Sequence, residues 1–172
     1  MKPNLDKFCI LGYRQPNLFC PAHPQVAQES VFHIFDVGLS QTGIMDLKEL
    51  ESGVNPDVHW YYQSKKVPLV DYTRKLLETI DNLTIVDVGS GSGFFALLLE
   101  REFTDRIKKV YLVDINYTSE EIAATQGKKV EKTLRIPDQI EKGLVIMMDV
   151  LEHLDDDLAM LKSIKKKCGW QR

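Results

Sequence analysis

The chain has 172 residues, the size of one domain, and its 44% hydrophobic and 27% charged content is that of a globular protein. A net charge of −3 at pH 7 gives no electrostatic basis for a nucleic-acid or membrane partner. We find no run long and apolar enough to span a bilayer and no secretory signal, so we expect a cytoplasmic protein.

Residues 1–43 are predicted to form an irregular N-terminal segment, followed by one domain at residues 44–172. Four prolines between positions 3 and 24 interrupt any periodicity, and the polar residues there form no face. Cys9, Cys20 and His23 could suggest zinc, but they lack a paired C-x-x-C, so we predict no metal site.

Two stretches upstream of residue 82 have helical character. The segment "MDLKELESG" at 45–53 could form a short helical turn. The segment "PLVDYTRKLLETID" at 68–81 is predicted to be an amphipathic helix, because its apolar residues recur at helical spacing. We expect Pro68 in the first turn of that helix, where its missing N–H costs nothing.

From residue 83 onward, strand and helix patterns alternate, which predicts an α/β fold with a parallel sheet. Parallel strands are buried on both faces, which explains why they are apolar throughout. The last helix is predicted to begin with acids and to end with lysines, the arrangement that the helix dipole favours. The lysines near the end of the chain therefore need not form a basic patch. Strands are predicted within 83–88, 109–115, 130–136 and 143–150, and helices within 93–103, 118–129 (with a Thr118 and Glu121 capping box) and 155–167.

A glycine loop follows the first of these strands. Asp87, Gly89, Gly91 and Gly93 form the pattern D-x-G-x-G-x-G, in which glycines permit positive φ and close approach of a ligand. The dinucleotide fingerprint G-x-G-x-x-G would need a glycine where this chain has Phe94. A carboxylate at position 87 would repel phosphate but suits a cationic or amino-bearing ligand.

A second acid, Asp114, closes the next strand. A carboxylate at that position can accept hydrogen bonds from both hydroxyls of a ribose. Ligands of such folds bind beyond the carboxyl ends of the strands, at the topological switch point. The two acids and the glycine loop together predict a nucleoside that carries a positively charged, amino-acid-like group.

Four stretches carry a resemblance to a known family, which covers about residues 44–167. "VDVGSGSGFF" and "VYLVDIN" resemble the first two motifs of the class I S-adenosylmethionine-dependent methyltransferases. "VIMMDVLEHLDDD" resembles the fourth-strand motif of a bacterial subgroup, and "HWYYQSKK" at 59–66 resembles its lead-in helix. The resemblance implies a Rossmann-like three-layer α/β fold with a mainly parallel sheet, S-adenosyl-L-methionine as cofactor, and methyl transfer to an unidentified acceptor.

The resemblance also implies roles for individual residues. The glycine loop and Asp87 would face the methionine part of the cofactor, Asp114 would bind the ribose, and Ile115 would lie beside the adenine. The residues that close the fourth strand would line the same pocket. The implied cofactor-binding residues are Asp87, Gly89, Ser90, Gly91, Gly93, Asp114, Ile115, Asp149 and Val150.

Several assignments stay open. Asp138 and Gln139 are candidates for an adenine contact after the third strand. Glu152 and His153 could either begin a helix or act on the acceptor, so no catalytic residue is assigned. The aromatic residues at 59–62 could cover the sheet edge or close over the cofactor.

The family fold has seven strands, whereas this chain ends after the helix that follows the fourth. We therefore expect a truncated, cofactor-binding half with four parallel strands and an unpaired edge at "LVIMM". This leaves three hypotheses: a truncated methyltransferase, one completed by a partner or by self-association over the open edge, and a non-catalytic S-adenosylmethionine binder. A NAD-dependent oxidoreductase is disfavoured by Phe94.

Overall fold

The computed structural model describes the backbone of residues 8–12 and 32–36, and residues 55–168 apart from residue 57. The helical turn predicted at 45–53 lies outside these residues, as do the side chains of Cys9, Cys20 and His23. Along the described part of the chain, no helix combines the length and the apolar character needed to cross a membrane.

A six-stranded sheet forms the centre of the described structure. Its order is β1-β2-β6-β3-β4-β5, and each pair of neighbours is parallel. The strands are β1 Phe8–Gly12, β2 Phe32–Asp36, β3 Leu83–Val88, β4 Ile107–Val113, β5 Val130–Thr133 and β6 Gly143–Met147.

In the described part of the chain, three α-helices lie between consecutive strands and a fourth follows β6, and two of the four begin with a side-chain cap. Thr118 and Glu121 form the reciprocal capping box at the start of α3. The Asp156 side chain accepts a hydrogen bond from the Ala159 N–H at the start of α4. The α-helices are α1 Trp60–Leu76, α2 Phe94–Glu102, α3 Ser119–Thr125 and α4 Asp157–Lys167, with short 3-10 helices at Thr104–Arg106 and Leu151–His153.

Two apolar clusters pack against opposite faces of the sheet. Ile85 of β3 belongs to the cluster that contains α1 and α2, whereas its neighbour Val86 belongs to the cluster that contains Ile164 of α4. All six residues of β3 are buried, as are all five of β6. This burial on both faces explains the continuous apolar runs, and the predicted Rossmann-like α/β fold with a mainly parallel sheet is confirmed.

Helix α1 starts earlier in the chain than the sequence pattern predicts. Helix α1 begins at Trp60 and contains Pro68 in its interior, so the prediction that Pro68 lies in the first turn is wrong. Tyr61 and Lys65, upstream of the proline, are buried at four-residue spacing with Leu69 after it, so one buried face runs past position 68. Pro68 is exposed, so its ring meets solvent rather than the sheet. The lead-in helix implied at 59–66 and the helix predicted at 68–81 are therefore one element.

The edge of β6 also differs from expectation. Strand β2 pairs with β6 in parallel, with Ile34 opposite Val145, so the prediction of an unpaired edge and a four-stranded sheet is wrong. The segment 1–43 is likewise not irregular throughout, because β1 and β2 lie on either side of the prolines at 16–24. Self-association stays a prediction, but an unpaired β6 no longer supports it.

The pairing of β2 can be tested with a proline at Ile34. Because β2 lies between β1 and β6, the N–H of residue 34 faces a paired strand on either side. We expect Ile34→Pro to lower the free energy of unfolding by about 2–4 kcal/mol in urea denaturation at 25 °C. Ile34→Val, which keeps the N–H, is the matched control and should cost clearly less than the proline variant. Equal stability of the proline variant and the wild type would contradict the pairing.

Candidate functional site

The sheet brings the ends of three strands together at one edge. Along the chain, β4 and β5 are added on one side of β3, whereas β6 lies on its other side, so the switch point falls between β3 and β6. Val88 lies opposite both Val113 and Met147. The residues that directly follow these three strands must therefore meet at the same edge.

The glycine loop leaves β3 in a conformation that only glycine adopts readily. Gly89, Gly91 and Gly93 have φ of +68°, +50° and +76°. The Gly89 N–H donates to the Val113 carbonyl at 2.8 Å, which holds the loop against the end of β4. A Cβ at Gly89 would lie 2.6 Å from Val150 Cγ2, so this position has no room for a side chain. The prediction of positive φ in the loop is confirmed.

Asp87 lies beneath the loop rather than on its surface. Its side chain is 3% exposed, and its carboxylate accepts a hydrogen bond from the backbone N–H of Ala96. Gly93, the N-cap of α2, has no side chain to do this, so Asp87 satisfies an otherwise unpaired donor of the first turn. Burial raises the pKa of Asp87 to about 7; repulsion by Asp114 adds to this, whereas the Ala96 hydrogen bond opposes it.

Asp114 connects the end of β4 to the glycine loop. One carboxylate oxygen, Oδ2, accepts from the Gly91 N–H at 2.9 Å, and Oδ1 accepts from the Asn116 N–H at 2.9 Å. A carboxylate offers about four lone-pair directions. These two hydrogen bonds leave acceptor capacity on both oxygens, which is the requirement for binding two neighbouring hydroxyl groups.

Tyr117 is a residue of this site that the sequence reasoning missed. Its hydroxyl donates to the Gly91 carbonyl at 2.7 Å and lies 2.8 Å from the Ser90 hydroxyl. Lys132 Nζ lies 4.4 Å from the centroid of its ring. Burial raises the pKa of the Tyr117 hydroxyl, which keeps it protonated as a donor. The feature of the sequence that could have identified Tyr117 is its position, as an aromatic residue three positions after Asp114.

Two exposed apolar side chains lie beyond the ends of β4 and β5. Ile115 is 85% exposed and Leu134 is 47% exposed. Val113 lies opposite Thr133 in the sheet, so Ile115 and Leu134 follow neighbouring strand ends. Ile115 was implied as an adenine neighbour, whereas Leu134 was not identified from the sequence.

The end of β6 is tied to α1. The Asp149 carboxylate accepts from the Tyr61 hydroxyl and from Lys65 Nζ, the latter at 2.5 Å. This carboxylate therefore faces α1, while Val150 contacts the glycine loop through the close approach at Gly89.

The aromatic residues at the start of α1 divide between two environments. The Tyr62 ring packs edge-on against Phe94 at 4.8 Å between centroids, and it lies tilted by 30° against Phe95 at 5.8 Å. Tyr61 and Tyr62 are buried, whereas Trp60 is 63% exposed. The start of α1 thus covers the first turn of α2 and, through Asp149, the end of β6. Because this edge is also where a ligand would bind, the packing does not distinguish a cover over the sheet from closure over a cofactor, and both stay predictions.

The remaining candidates are not brought to this edge together. Asp138 pairs with Lys167 at 2.6 Å, and the Ile140 N–H donates to the Lys167 carbonyl at the end of α4. Because α4 runs away from the switch-point edge, Asp138 lies toward the opposite edge of the sheet, and this placement does not support the adenine contact considered for Asp138 and Gln139. Glu152 and His153 are exposed in a 3-10 helix beside the end of β6.

These features define a Rossmann-like α/β protein with a candidate ligand site at its switch point. A family model described as a methyltransferase domain matches residues 59–169. Because this match covers more than half of the chain, the chain belongs to that methyltransferase family. No curated protein and no solved structure matches the chain. Among the described residues, no group of three or more His, Cys, Asp or Glu side chains could hold a metal ion.

Asp87 should make stability depend on pH in a specific way. Its pKa is about 7 in the folded chain against an ordinary 3.8, so between these values the folded state keeps a proton that the unfolded chain has released. Protonated Asp87 therefore favours folding at low pH. As the pH rises toward 7, this group lowers the free energy of unfolding by on the order of 1 kcal/mol per pH unit.

We expect Asp87→Asn to remove this contribution. Measured by urea denaturation at pH 4.5, 5.5, 6.5 and 7.5, the stability of the variant relative to wild type should rise with pH. Asp105→Asn, which changes an exposed acid in the Thr104–Arg106 turn, is the control. Its stability should change with pH in the same way as that of wild type. Parallel curves for Asp87→Asn and wild type would contradict the raised pKa.

Proposed function

We propose that this chain binds S-adenosyl-L-methionine and catalyses transfer of its methyl group to an acceptor. Family membership supports methyl transfer in general. The observation that carries the choice of cofactor is the hydrogen bond between the Gly91 N–H and Asp114 Oδ2 at 2.9 Å, which joins the glycine loop to the acid of the next strand. One edge of the sheet thereby offers groups suited to an amino acid and to a ribose.

The chemistry of the available groups fits this cofactor. The free acceptor capacity of Asp114 suits the two ribose hydroxyls. Ile115 and Leu134 offer exposed apolar surface next to it, which suits the adenine ring. The glycine loop allows close backbone approach by the methionine part, and the amino end of α2 favours its carboxylate. Asp87 contributes by holding that end of α2 in place through the hydrogen bond that it accepts from the Ala96 N–H.

When bound, S-adenosyl-L-methionine supplies a methyl group on a positively charged sulfur, which is a good leaving group. The protein then needs to hold the cofactor and align the acceptor, because alignment can supply much of the rate enhancement. Val150 and the tyrosines at the start of α1 border the methionine side of the proposed pocket and would limit water there. A general base is not required for every acceptor, so Glu152 and His153 receive no role.

A dinucleotide cofactor fits less well. In the dinucleotide fingerprint the third glycine allows the helix to pack closely on the strand. Here the corresponding residue is Phe94, and its ring packs against Tyr62 at 4.8 Å.

Calorimetric titration with S-adenosylhomocysteine tests the cofactor, with NADH as the comparison ligand. We expect binding of S-adenosylhomocysteine alone. Asp114→Asn should weaken that binding about 10–100-fold, because an amide has fewer acceptor positions for the ribose while keeping the size of the side chain. Asp105→Asn should bind as wild type does. Binding of NADH in preference, or unchanged affinity in Asp114→Asn, would contradict the proposed site.

A second measurement tests transfer itself. Purified protein is incubated with methyl-labelled S-adenosyl-L-methionine and a panel of small phenols, amines, thiols and carboxylic acids, and formation of S-adenosylhomocysteine is followed. We expect turnover with at least one acceptor class and its loss in Asp114→Asn. Cofactor binding without turnover across the panel would favour a non-catalytic S-adenosylmethionine binder.

A further inference from the structure

A lysine in the middle of α1 is almost completely buried. Lys65 is 1% exposed, and its Nζ donates to the Tyr61 hydroxyl at 2.9 Å and to Asp149 Oδ2 at 2.5 Å. It also lies 4.1 Å from the centroid of the Tyr61 ring. Removing an ammonium from water is costly even when the group is paired, and apolar residues of similar volume often serve stability as well. A role in shaping the neighbouring site would explain this arrangement.

The far end of this cluster has an unusual backbone. Asp149 has a φ of +54°, in the left-handed region that non-glycine residues rarely occupy. That conformation is unfavourable for a residue with a Cβ, so it persists only where surrounding contacts offset its cost. The bonds from Tyr61 and Lys65 to its carboxylate are such contacts. Burial and the Asp149 hydrogen bond raise the pKa of the Tyr61 hydroxyl, which therefore remains a donor.

The next residue carries this constraint to the glycine loop. Val150 follows Asp149 directly, and its Cγ2 occupies the space that a Cβ on Gly89 would need, at 2.6 Å. The direction in which Val150 points depends on the backbone of Asp149. A continuous series of contacts thus leads from α1 to the first glycine of the loop.

We propose that Lys65 is a positioning residue for the cofactor site. With Tyr61, it holds Asp149 in its left-handed conformation. That conformation directs the Val150 side chain against Gly89, and this contact fixes the position of the glycine loop at the end of β3. Lys65 does not itself contact the cofactor. The inference rests on the proposed function, because it describes how the same site is shaped.

The test is the affinity for S-adenosylhomocysteine, measured by calorimetry on the full chain. Lys65→Met keeps the length of the side chain and removes the ammonium, and we expect it to raise the dissociation constant about tenfold. Thr73→Val is the matched control. Thr73 is buried on the same helix, with its hydroxyl bonded to the Leu69 carbonyl at 2.8 Å, away from the site. This variant should lose stability yet bind within twofold of wild type.

A double-mutant cycle separates positioning from a general loss of helix stability. If Lys65 acts through Asp149, then Lys65→Met should have a smaller effect on affinity in an Asp149→Asn background than in wild type. Additive effects on affinity would overturn the proposal, as would a Lys65→Met variant that binds within twofold of wild type. If Lys65→Met proves unfolded by circular dichroism, Tyr61→Phe, which removes only the hydroxyl, should weaken binding about threefold or more, and unchanged affinity there would overturn it.

The proposed function and the positioning role of Lys65 are contradicted by different results. A folded wild-type chain that does not bind S-adenosylhomocysteine contradicts the proposed function, and the positioning role falls with it. A wild type that binds, together with a Lys65→Met variant of equal affinity, leaves the proposed function intact and contradicts only the role of Lys65.

Discussion

The position of β3 between β4 and β6 is the constraint on which the candidate site depends. Because the three strands are parallel and in register, the residues after Val88, Val113 and Met147 must meet at one edge. The glycine loop, Asp114 and Asp149 then lie within reach of one another without any long loop to position them. The apolar content of β3 and β6 maintains this register, since both strands are buried on both faces.

Three aspartates end strands at this edge, and each has a different physical environment. Asp87 is buried and supports the first turn of α2. Asp114 is partly exposed and bonded to backbone N–H groups, so its oxygens remain partly available. Asp149 is paired with a buried lysine. The same residue type therefore supplies structural support at Asp87, available acceptor oxygens at Asp114 and a link to α1 at Asp149.

Local patterns were enough to predict the elements from β3 onward, because buried strands, caps and amphipathic helices depend on residues that are close together in the sequence. They were not enough for β2, a five-residue strand whose partner β6 lies more than 100 positions away along the chain. The links of Lys65 to Asp149 and of Tyr117 to Gly91 were missed for the same reason, since they join residues 84 and 26 positions apart. The glycine loop and Asp114 could be recognised because they are local features at strand ends, where the ligand expected from the sequence would need those residue types.

The central claim is that the switch-point edge holds a nucleoside cofactor with an amino-acid group, and hydrogen exchange measures this directly. With S-adenosylhomocysteine bound, the account predicts slower amide exchange in peptides that cover the glycine loop at 88–94 and the segment 114–118, with smaller protection at 59–66 and 148–151. Protection at these segments should be lost in Asp114→Asn. Unchanged exchange there in a chain shown to bind the ligand, or protection confined to residues 134–142, would contradict the account.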